Sequence, residues 1–175
     1  MEALKLRRST RLYSGEVIAP ETLSDLLWAA YGINRPDSGG RTAPSWHTSY
    51  GGDLYVAAAD GVWLYDPKEE SLTQVVATDI RKKASPQPFV GTAPIVILHV
   101  TDLDRMYEAP DETRIQNAHV DAAIVAQNIY LFCASAGLGT CLVGGADRAA
   151  VAEALSLSDR KIVTFVQPVG HPQAT

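Results

Sequence analysis

The sequence predicts an α+β fold in which helices flank a central, mostly antiparallel β-sheet. Two observations support this prediction: a hairpin signal at Asp60-Gly61 joins two short apolar runs, and the longest helix signal, 114–136, lies apart from them. A doubly wound fold would instead alternate strands and helices regularly along the chain. The length of 175 residues fits one domain, which we expect to span 1–175.

The first clear element is a helix from Pro20 to Tyr31. Proline suits a first helical position, where a missing N–H breaks no helical hydrogen bond, and Gly32 suits the residue after the last turn. One face is apolar at helical spacing and is expected to be buried; its residues are Leu23, Leu26, Leu27, Ala30 and Tyr31. The stretch 34–49 is rich in Gly, Pro, Ser and Thr, which predicts a loop.

We predict β-strands at five places, namely 54–59, 62–65, 72–77, 95–100 and 162–169. Asp60 and Gly61 are expected at the centre of a type I′ turn, where both residues need a positive φ. The run 95–100 is β-branched and almost entirely apolar, so we expect this strand to be buried on both faces.

The longest helix candidate runs from Arg114 to Ala136. It carries an apolar stripe formed by Ile115, Ala118, Ala122, Val125, Ile129, Phe132 and Cys133. From Asp121 onward its other faces are apolar too, which is typical of a central helix or of a helix at a subunit interface. Gly137 is expected to end this helix, and Asp147 to cap a short helix that continues through Leu155.

Composition and charge argue against several classes of function. A formal net charge of −5 argues against broad nucleic-acid binding, which needs a basic surface. The two cysteines, Cys133 and Cys141, lie in apolar surroundings, so we expect reduced thiols and a cytoplasmic location. No apolar stretch reaches the roughly 20 residues that cross a membrane. The four histidines lack the spacing of metal ligands.

Three segments could carry chemistry. Arg7-Arg8-Ser9-Thr10-Arg11 places three guanidiniums and two hydroxyls in five residues, a set that can surround a phosphate. The loop 43–49 could present hydroxyl and backbone groups to a ligand. The stretch 137–145 is rich in glycine, which lets a backbone approach a flat ligand closely. Taken singly, each segment also fits a plain structural interpretation: a solvated basic stretch, a surface loop, and a helix end that runs into a buried strand.

In this order, the three segments resemble the FMN-dependent nitroreductase family. The likeness covers most of the chain and is greatest with a peptide-modifying, azoline-dehydrogenase-like branch, through residues 26–33, 41–45, 61–67 and 125–128. This resemblance implies a nitroreductase-like α+β fold and a homodimer with FMN in the subunit interface. It also implies an enzyme, an FMN-dependent oxidoreductase.

The resemblance assigns the cofactor site to the same three segments. Arg7, Arg8 and Ser9 match the positions that hold the FMN phosphate and ribityl chain, and Arg11 matches a basic residue near the N1/O2 edge of the flavin. The loop that lines the flavin corresponds to Pro44, Ser45, Trp46 and Thr48. The stretch that packs on the ring and offers N–H groups near N5 and O4 corresponds to Leu142, Val143, Gly144 and Gly145.

The resemblance also implies a ping-pong mechanism. NAD(P)H reduces the flavin and leaves, and a small flat acceptor, such as a nitroaromatic or a quinone, then takes its place. The protein needs no catalytic acid or base for this cycle, and we assign no catalytic side chain. Two alternatives remain open: a dehydrogenase that oxidises its substrate and is reoxidised by oxygen, and a non-enzymatic flavin-binding homodimer.

Two features depart from the family pattern. Family members usually carry a basic residue near the C-terminus that reaches the phosphate, and here His171 is the only candidate, which predicts weaker FMN binding. The stretch 102–114 is short and has no lysine, whereas the peptide-modifying branch carries a Lys/Tyr-containing insertion there. Azoline oxidation is therefore not expected.

Overall fold

The computed structural model describes residues 1–173 and contains both helices and strands. The helices are α1 (Glu2–Leu6), α2 (Pro20–Tyr31), α3 (Asp111–Ser135) and α4 (Arg148–Ala154). The strands are β1 (Ile33–Arg35), β2 (Gly40–Arg41), β3 (Gly52–Ala58), β4 (Gly61–Asp66), β5 (Ser71–Val76), β6 (Ile95–Asp102), β7 (Gly139–Thr140) and β8 (Lys161–Gly170). None of the helices in this part of the chain has the length and apolar character needed to span a membrane.

Six strands form one sheet in the order β5-β4-β3-β6-β8-β7, and every neighbouring pair in it is antiparallel. Strand β6 lies in the middle, between β3 and β8, and its residues 95–101 are all buried. This confirms the prediction of a strand that is buried on both faces. Strands β1 and β2 form a separate hairpin after α2.

Helices cover both faces of the sheet, and the alternation of side chains along each strand decides which layer a residue meets. Leu54 of β3 belongs to the layer that contains α2 and α3, with Leu27 and Ile129. The next residue, Tyr55, faces the opposite layer, which contains Val151 of α4. The predicted fold class, in which helices flank a central antiparallel sheet, is confirmed.

The two long helices match their predictions closely. Helix α2 has the predicted bounds, and its expected inner face is buried except for Leu23, which is partly buried. Helix α3 starts three residues before the predicted position 114 and ends one residue before the predicted position 136. Beyond it, Gly137 takes a φ of 71°, and Leu138 N–H donates to the carbonyl of Cys133, which closes the helix.

Gly32 follows its helix as predicted, but for a different physical reason. Its φ is −67°, which any residue can adopt. A Cβ at this position would lie 2.5 Å from the Trp28 side chain. The helix end therefore requires the small size of glycine and not a left-handed backbone.

The predicted hairpin turn is wrong by one residue. Ala58 pairs with Gly61, so the turn consists of Ala59-Asp60, and neither of these residues has a positive φ. Gly61 itself has a φ of 140°, and a Cβ there would collide with the carbonyl oxygen of Val76 on β5. The glycine therefore serves the contact between β4 and β5 and does not form the turn.

The short elements β1, β2 and α1 were not predicted. The stretch 34–49, predicted as a loop, contains the end of β1 and all of β2. Helix α1 has five residues, no side-chain cap and no buried residue, so its sequence offers neither an apolar stripe nor a start signal.

Candidate functional site

The arginine-rich N-terminal segment lies along the short strand β7. Ser9 forms a bridge with Thr140, and Thr10 N–H donates to the Thr140 carbonyl at 2.9 Å. This approach depends on Gly139, because a Cβ there would lie 2.7 Å from the methyl carbon of Thr10. The structure therefore joins two of the three predicted segments, the basic cluster and the glycine-rich stretch, near the end of α3.

Tyr130 of α3 connects these two segments. Its hydroxyl oxygen lies 3.0 Å from Ser9 Oγ and accepts a hydrogen bond from Leu142 N–H at 2.8 Å. The guanidinium carbon of Arg7 lies 5.1 Å from the centre of its ring, which is a cation–π contact. The sequence pattern presented Tyr130 only as one more apolar position on α3, so this role was missed.

A cavity of about 380 Å³ opens beside this junction. Its polar lining is formed by Lys5, Arg7, Arg8, Thr10, Tyr130 and Thr140. In the described part of the chain, Arg7, Arg8 and Arg11 form no ion pair, and Lys5 has a single ionic contact, 3.4 Å to the exposed Glu2. Arginines that gather without carboxylate partners, in a chain of net charge −5, suit a phosphate ligand.

Arg11 contacts a further segment, between β5 and β6, that the sequence did not indicate. Its guanidinium carbon lies 5.8 Å from the centre of the Phe89 ring. Four residues earlier, Ser85 Oγ donates to the Gly145 carbonyl at 2.8 Å. A Cβ on Gly145 would lie 3.0 Å from Gln87 Nε2. This segment therefore links Arg11 to the far end of the glycine-rich stretch.

The glycine-rich stretch offers two unpaired backbone donors. Leu142 N–H is already bonded to the tyrosine hydroxyl of α3, and Val143 N–H donates to the Val166 carbonyl at 2.9 Å. Within residues 1–173, the N–H groups of Gly144 and Gly145 form no hydrogen bond, and both residues are exposed. A Cβ on Gly144 would meet no atom within 4 Å, so the space beside this backbone is open.

The predicted ligand loop lies elsewhere on the same helix. Ser45 Oγ donates to Asp121 Oδ2 at 2.7 Å, and Trp46 N–H donates to the same carboxylate at 3.0 Å. Asp121 precedes Tyr130 by nine residues, which at about 1.5 Å per residue separates them by about 13 Å along the helix. Within one chain the structure brings the first and third segments together and holds the loop apart from them.

The backbone of this loop is strained. His47, Thr48 and Tyr50 have φ values of 49°, 53° and 46°, in the left-handed region that favours glycine. Such conformations cost on the order of 1 kcal/mol or more each and persist where surrounding contacts impose them. The two hydrogen bonds to the α3 carboxylate are contacts of this kind. The predicted ligand contacts of the loop are exposed or partly buried: Pro44, Ser45, Trp46 and Thr48.

Titratable groups elsewhere do not extend the site. Burial raises the pKa of Cys133 to about 12, so this thiol is protonated and unreactive at neutral pH. Burial lowers the pKa of His99 to about 4, and the neutral ring is hydrogen-bonded to Gln167 at 3.2 Å. His171 does not line the cavity, and its Nε2 lies 3.9 Å from a carboxylate oxygen of Glu16. No cluster of potential metal ligands occurs among residues 1–173.

The antiparallel α+β fold, the basic cavity, the unpaired backbone donors and the open glycine edge together suit the class of flavin-dependent oxidoreductases. Comparison with known families agrees with this class. The chain belongs to the nitroreductase family, whose model matches residues 4–171. The predicted family and enzyme class are therefore confirmed.

Individual relatives support the same assignment. A solved structure from Ralstonia eutropha, named as a nitroreductase, is 39% identical to this chain and superposes with a TM-score of 0.95. The match covers 100% of this chain and 83% of the Ralstonia chain. A protein of Methanocaldococcus jannaschii, also named as a nitroreductase, is 30% identical over 97% of this chain and 89% of its own length. The FMN reductase (NADPH) of Bacillus subtilis is 25% identical over 98% of this chain and 65% of its own length.

One further likeness concerns the fold and the predicted branch. A chain of the Escherichia coli microcin synthetase complex, solved with a truncated precursor bound, has a TM-score of 0.80 and covers 99% of this chain and 74% of its own. Its sequence identity is 17%, so the comparison establishes a shared fold alone.

Proposed function

We propose that this chain binds FMN and acts as an NAD(P)H-linked reductase of a small flat acceptor, such as a nitroaromatic or a quinone. The observation that carries the proposal is the cavity at the end of α3, whose arginines have no carboxylate partner among residues 1–173. Tyr130 in its wall joins this cavity, through Leu142, to the open glycine-rich edge at Gly144 and Gly145. A cofactor with a phosphate at one end and a flat ring at the other needs both features. Similarity to the FMN reductase (NADPH) of Bacillus subtilis supports FMN and a nicotinamide donor.

The basic end of the site suits the FMN phosphate and ribityl chain. Arg7 and Arg8 line the cavity, and Ser9 places a hydroxyl beside it, 3.0 Å from a cavity-lining tyrosine. Forked guanidinium donors match the oxygens of a phosphate. Lys5 lines the same cavity from α1. We assign to Lys5 the additional positive charge that His171 does not provide there.

The glycine-rich edge suits the flavin ring. Gly144 and Gly145 provide the unpaired N–H donors assigned to N5 and O4, and Leu142 and Val143 form the adjoining wall. Arg11 provides the positive charge assigned to the N1/O2 edge, where negative charge develops on reduction. When bound, FMN supplies hydride acceptance from NAD(P)H and electron transfer to the acceptor. The open space at Gly144 leaves the ring edge accessible to the two substrates in turn.

We also propose a homodimer in which the loop of one copy completes the cofactor site of the other. Within one chain the loop that carries Pro44, Ser45, Trp46 and Thr48 is bonded to α3 at Asp121, whereas the cavity lies at Tyr130, more than two helical turns further along. Large apolar side chains that are exposed near the N-terminus and on α3 offer a surface for such a contact: Leu4, Leu6, Leu12, Val17, Ile115 and Val120.

Both cysteines are reduced and buried, which supports a cytoplasmic location.

Steady-state kinetics of the FMN-loaded protein test the proposed activity. Initial rates are measured with NADH or NADPH varied at several fixed concentrations of a simple quinone, and then of a nitroaromatic. We expect parallel lines in double-reciprocal plots, because donor and acceptor use one pocket in turn. Intersecting lines, or no nicotinamide oxidation with either acceptor, would contradict the proposal.

A substitution at Gly144 tests the location of the pocket. Gly144→Val adds a side chain where no atom lies within 4 Å, so the fold should tolerate it. We expect kcat/KM for the acceptor to fall about tenfold or more, which corresponds to about 1.4 kcal/mol of lost transition-state binding. Gly15→Val is the matched control, because Gly15 is also exposed and its Cβ position is also open. Equal activity of the two variants would contradict the placement of the ring.

A further inference from the structure

Arg41, the last residue of β2, is held between two tyrosine rings. Its guanidinium carbon lies 4.1 Å from the ring centre of Tyr31 and 5.1 Å from that of Tyr50. The two rings meet edge to face, with their centres 6.4 Å apart. Stacking of this kind fixes the plane of a guanidinium and leaves its N–H edge available to a ligand.

The guanidinium of Arg41 is half-buried and unpaired. Among the described residues, 1–173, it donates no hydrogen bond and forms no ion pair. Arg105, which lies at the same cavity, differs in this respect, because it contacts Asp53 at 2.6 Å. Arg41 is therefore a positioned cation without an ion pair of its own in this part of the chain. Asp53 and Asp66 line the same cavity, and Asp53 is paired with Arg105.

Arg41 opens onto a cavity of about 560 Å³. Much of the wall is apolar and is formed by Ile33, Leu54, Leu64 and Pro67. This volume and lining suit a small organic molecule, since ligand sites of this size are mostly apolar with a few fixed polar groups. The cavity shares no lining residue with the arginine cavity at the N-terminus.

Tyr65 of β4 contributes a second unpaired polar group to this cavity. Only 6% of the residue is exposed, and its hydroxyl oxygen is buried and has no hydrogen-bond partner among residues 1–173. Burial raises the pKa of Tyr65 to about 12, so the group stays a protonated donor at neutral pH. Buried hydroxyls without partners are rare in folded proteins, because each one costs free energy.

We propose that this cavity is a second binding site, distinct from the FMN site, and that it takes a small aromatic carboxylate. The carboxylate would accept two parallel hydrogen bonds from Arg41, and the ring would lie against the apolar wall. The hydroxyl of Tyr65 is closed to solvent in the free protein, and after a small shift of the side chain it would donate to the same ligand. Tyr50 ends the strained loop, so a ligand on Arg41 would also stabilise that loop against α2.

Isothermal titration calorimetry with benzoate tests the proposal, and benzamide serves as a neutral probe of the same shape. We expect benzoate to bind at least about tenfold more tightly than benzamide, because only the carboxylate can form a charge-assisted pair with Arg41. Arg41→Met keeps an unbranched chain between the two tyrosines and should remove this preference. Lys83→Met removes an exposed cation outside the cavity and should leave it unchanged.

Two further variants distinguish the site from its alternatives. Tyr65→Phe should weaken benzoate binding several-fold without lowering the melting temperature measured in its absence, because the hydroxyl has no partner to lose. Arg7→Ala should not change benzoate binding, because Arg7 lies in the other cavity. Loss of binding in Arg7→Ala would move the ligand to the FMN site and overturn the proposal.

The wild-type titration can also overturn it. Equal affinities for benzoate and benzamide would show that Arg41 does not select a carboxylate. No benzoate binding by the wild-type protein would show that the cavity does not take a small aromatic carboxylate. Neither result would affect the proposed flavin chemistry, whose test uses different residues.

Discussion

Single residues at the arginine cavity carry the phosphate end of the proposed site, and Arg7 does so in two ways. It lines the cavity, and it also lies over the ring of Tyr130. Tyr130 in turn joins the basic segment to the glycine-rich stretch through Ser9 and Leu142. A change at either side chain should therefore reach the cofactor, but through different contacts.

Arg7→Ala is expected to weaken FMN binding about 10- to 100-fold. The reason is the loss of a charge-assisted hydrogen bond to phosphate, which costs about 1.5–3 kcal/mol. Titration of FMN fluorescence with the apoprotein measures the affinity. Lys83→Ala serves as the control because it removes a cation that does not line the cavity. Unchanged affinity in Arg7→Ala would remove the basis for placing the phosphate here.

Tyr130→Phe keeps the ring under Arg7 and removes the hydroxyl that accepts Leu142 N–H. The N–H would lose its partner, so we expect the free energy of unfolding to fall by about 1–2 kcal/mol and FMN binding to weaken. Urea denaturation followed by circular dichroism measures the first effect. Tyr107→Phe is the control, since Tyr107 is exposed and its hydroxyl forms no hydrogen bond in the described residues. A Tyr130 variant as stable as this control would contradict the role assigned to the hydroxyl.

The stability of the protein should depend on pH through His99. Burial lowers its pKa in the folded chain from 6.5 to about 4, so the unfolded chain binds more protons between these values. The free energy of unfolding should therefore fall as the pH drops below 6.5, by about 2 kcal/mol between pH 7 and pH 5. Urea denaturation at both pH values checks this, and His99→Gln should lose that part of the dependence. The same dependence in the variant would mean that other groups cause it.

At the scale of elements, the junction between α3 and β7 sets the geometry of the site. Gly137 turns the chain with a left-handed backbone, and Gly139 admits the N-terminal segment. Gly137→Ala should destabilise the fold by roughly 1–2 kcal/mol, because a Cβ is unfavourable at this φ. Thermal or urea unfolding measures the loss. Gly15→Ala, at an exposed glycine with no left-handed φ, should cause none, and an equal loss in both variants would contradict the explanation.

The elements that were predicted correctly are those whose signals are local. The bounds of α2 follow from Pro20 and Gly32, and the central position of β6 follows from its apolar composition. The hairpin turn was misplaced because Gly61 is required by a carbonyl on β5, which is a contact between strands. Local sequence patterns therefore identified the elements, but they did not show which contacts require a glycine at positions such as Gly61.

The candidate site shows the same division. The basic cluster and the glycine-rich stretch were recognised from residue type and order, and the structure places them side by side. Tyr130 and Asp121 were missed, because their contacts join residues far apart in the chain. Lys5 was missed because it reaches the cavity from α1, a helix that the sequence did not predict. Ser9 and Tyr130, for example, are separated by 121 positions. The periodicity of apolar residues indicates only that Tyr130 lies on a helix, and it does not show which distant residues Tyr130 contacts.

For the whole molecule, the proposed cofactor site requires two copies of the chain. The loop contacts α3 at Asp121, and the arginine cavity lies at a different turn of the same helix, at Tyr130. Large apolar side chains are also exposed near the N-terminus. We therefore expect light scattering at working concentration to give twice the mass of the chain. A monomer that binds FMN with normal affinity would show that one chain completes the site alone.

We propose above all that this chain binds FMN and reduces it with NAD(P)H. The most direct measurement is the visible absorbance spectrum of the purified protein, recorded after addition of FMN, removal of free cofactor and then addition of NADH or NADPH without oxygen. We predict a protein-bound flavin band that bleaches with the nicotinamide. A bound band that persists with both nicotinamides would contradict the reductase activity. The lack of any bound flavin would contradict the site itself.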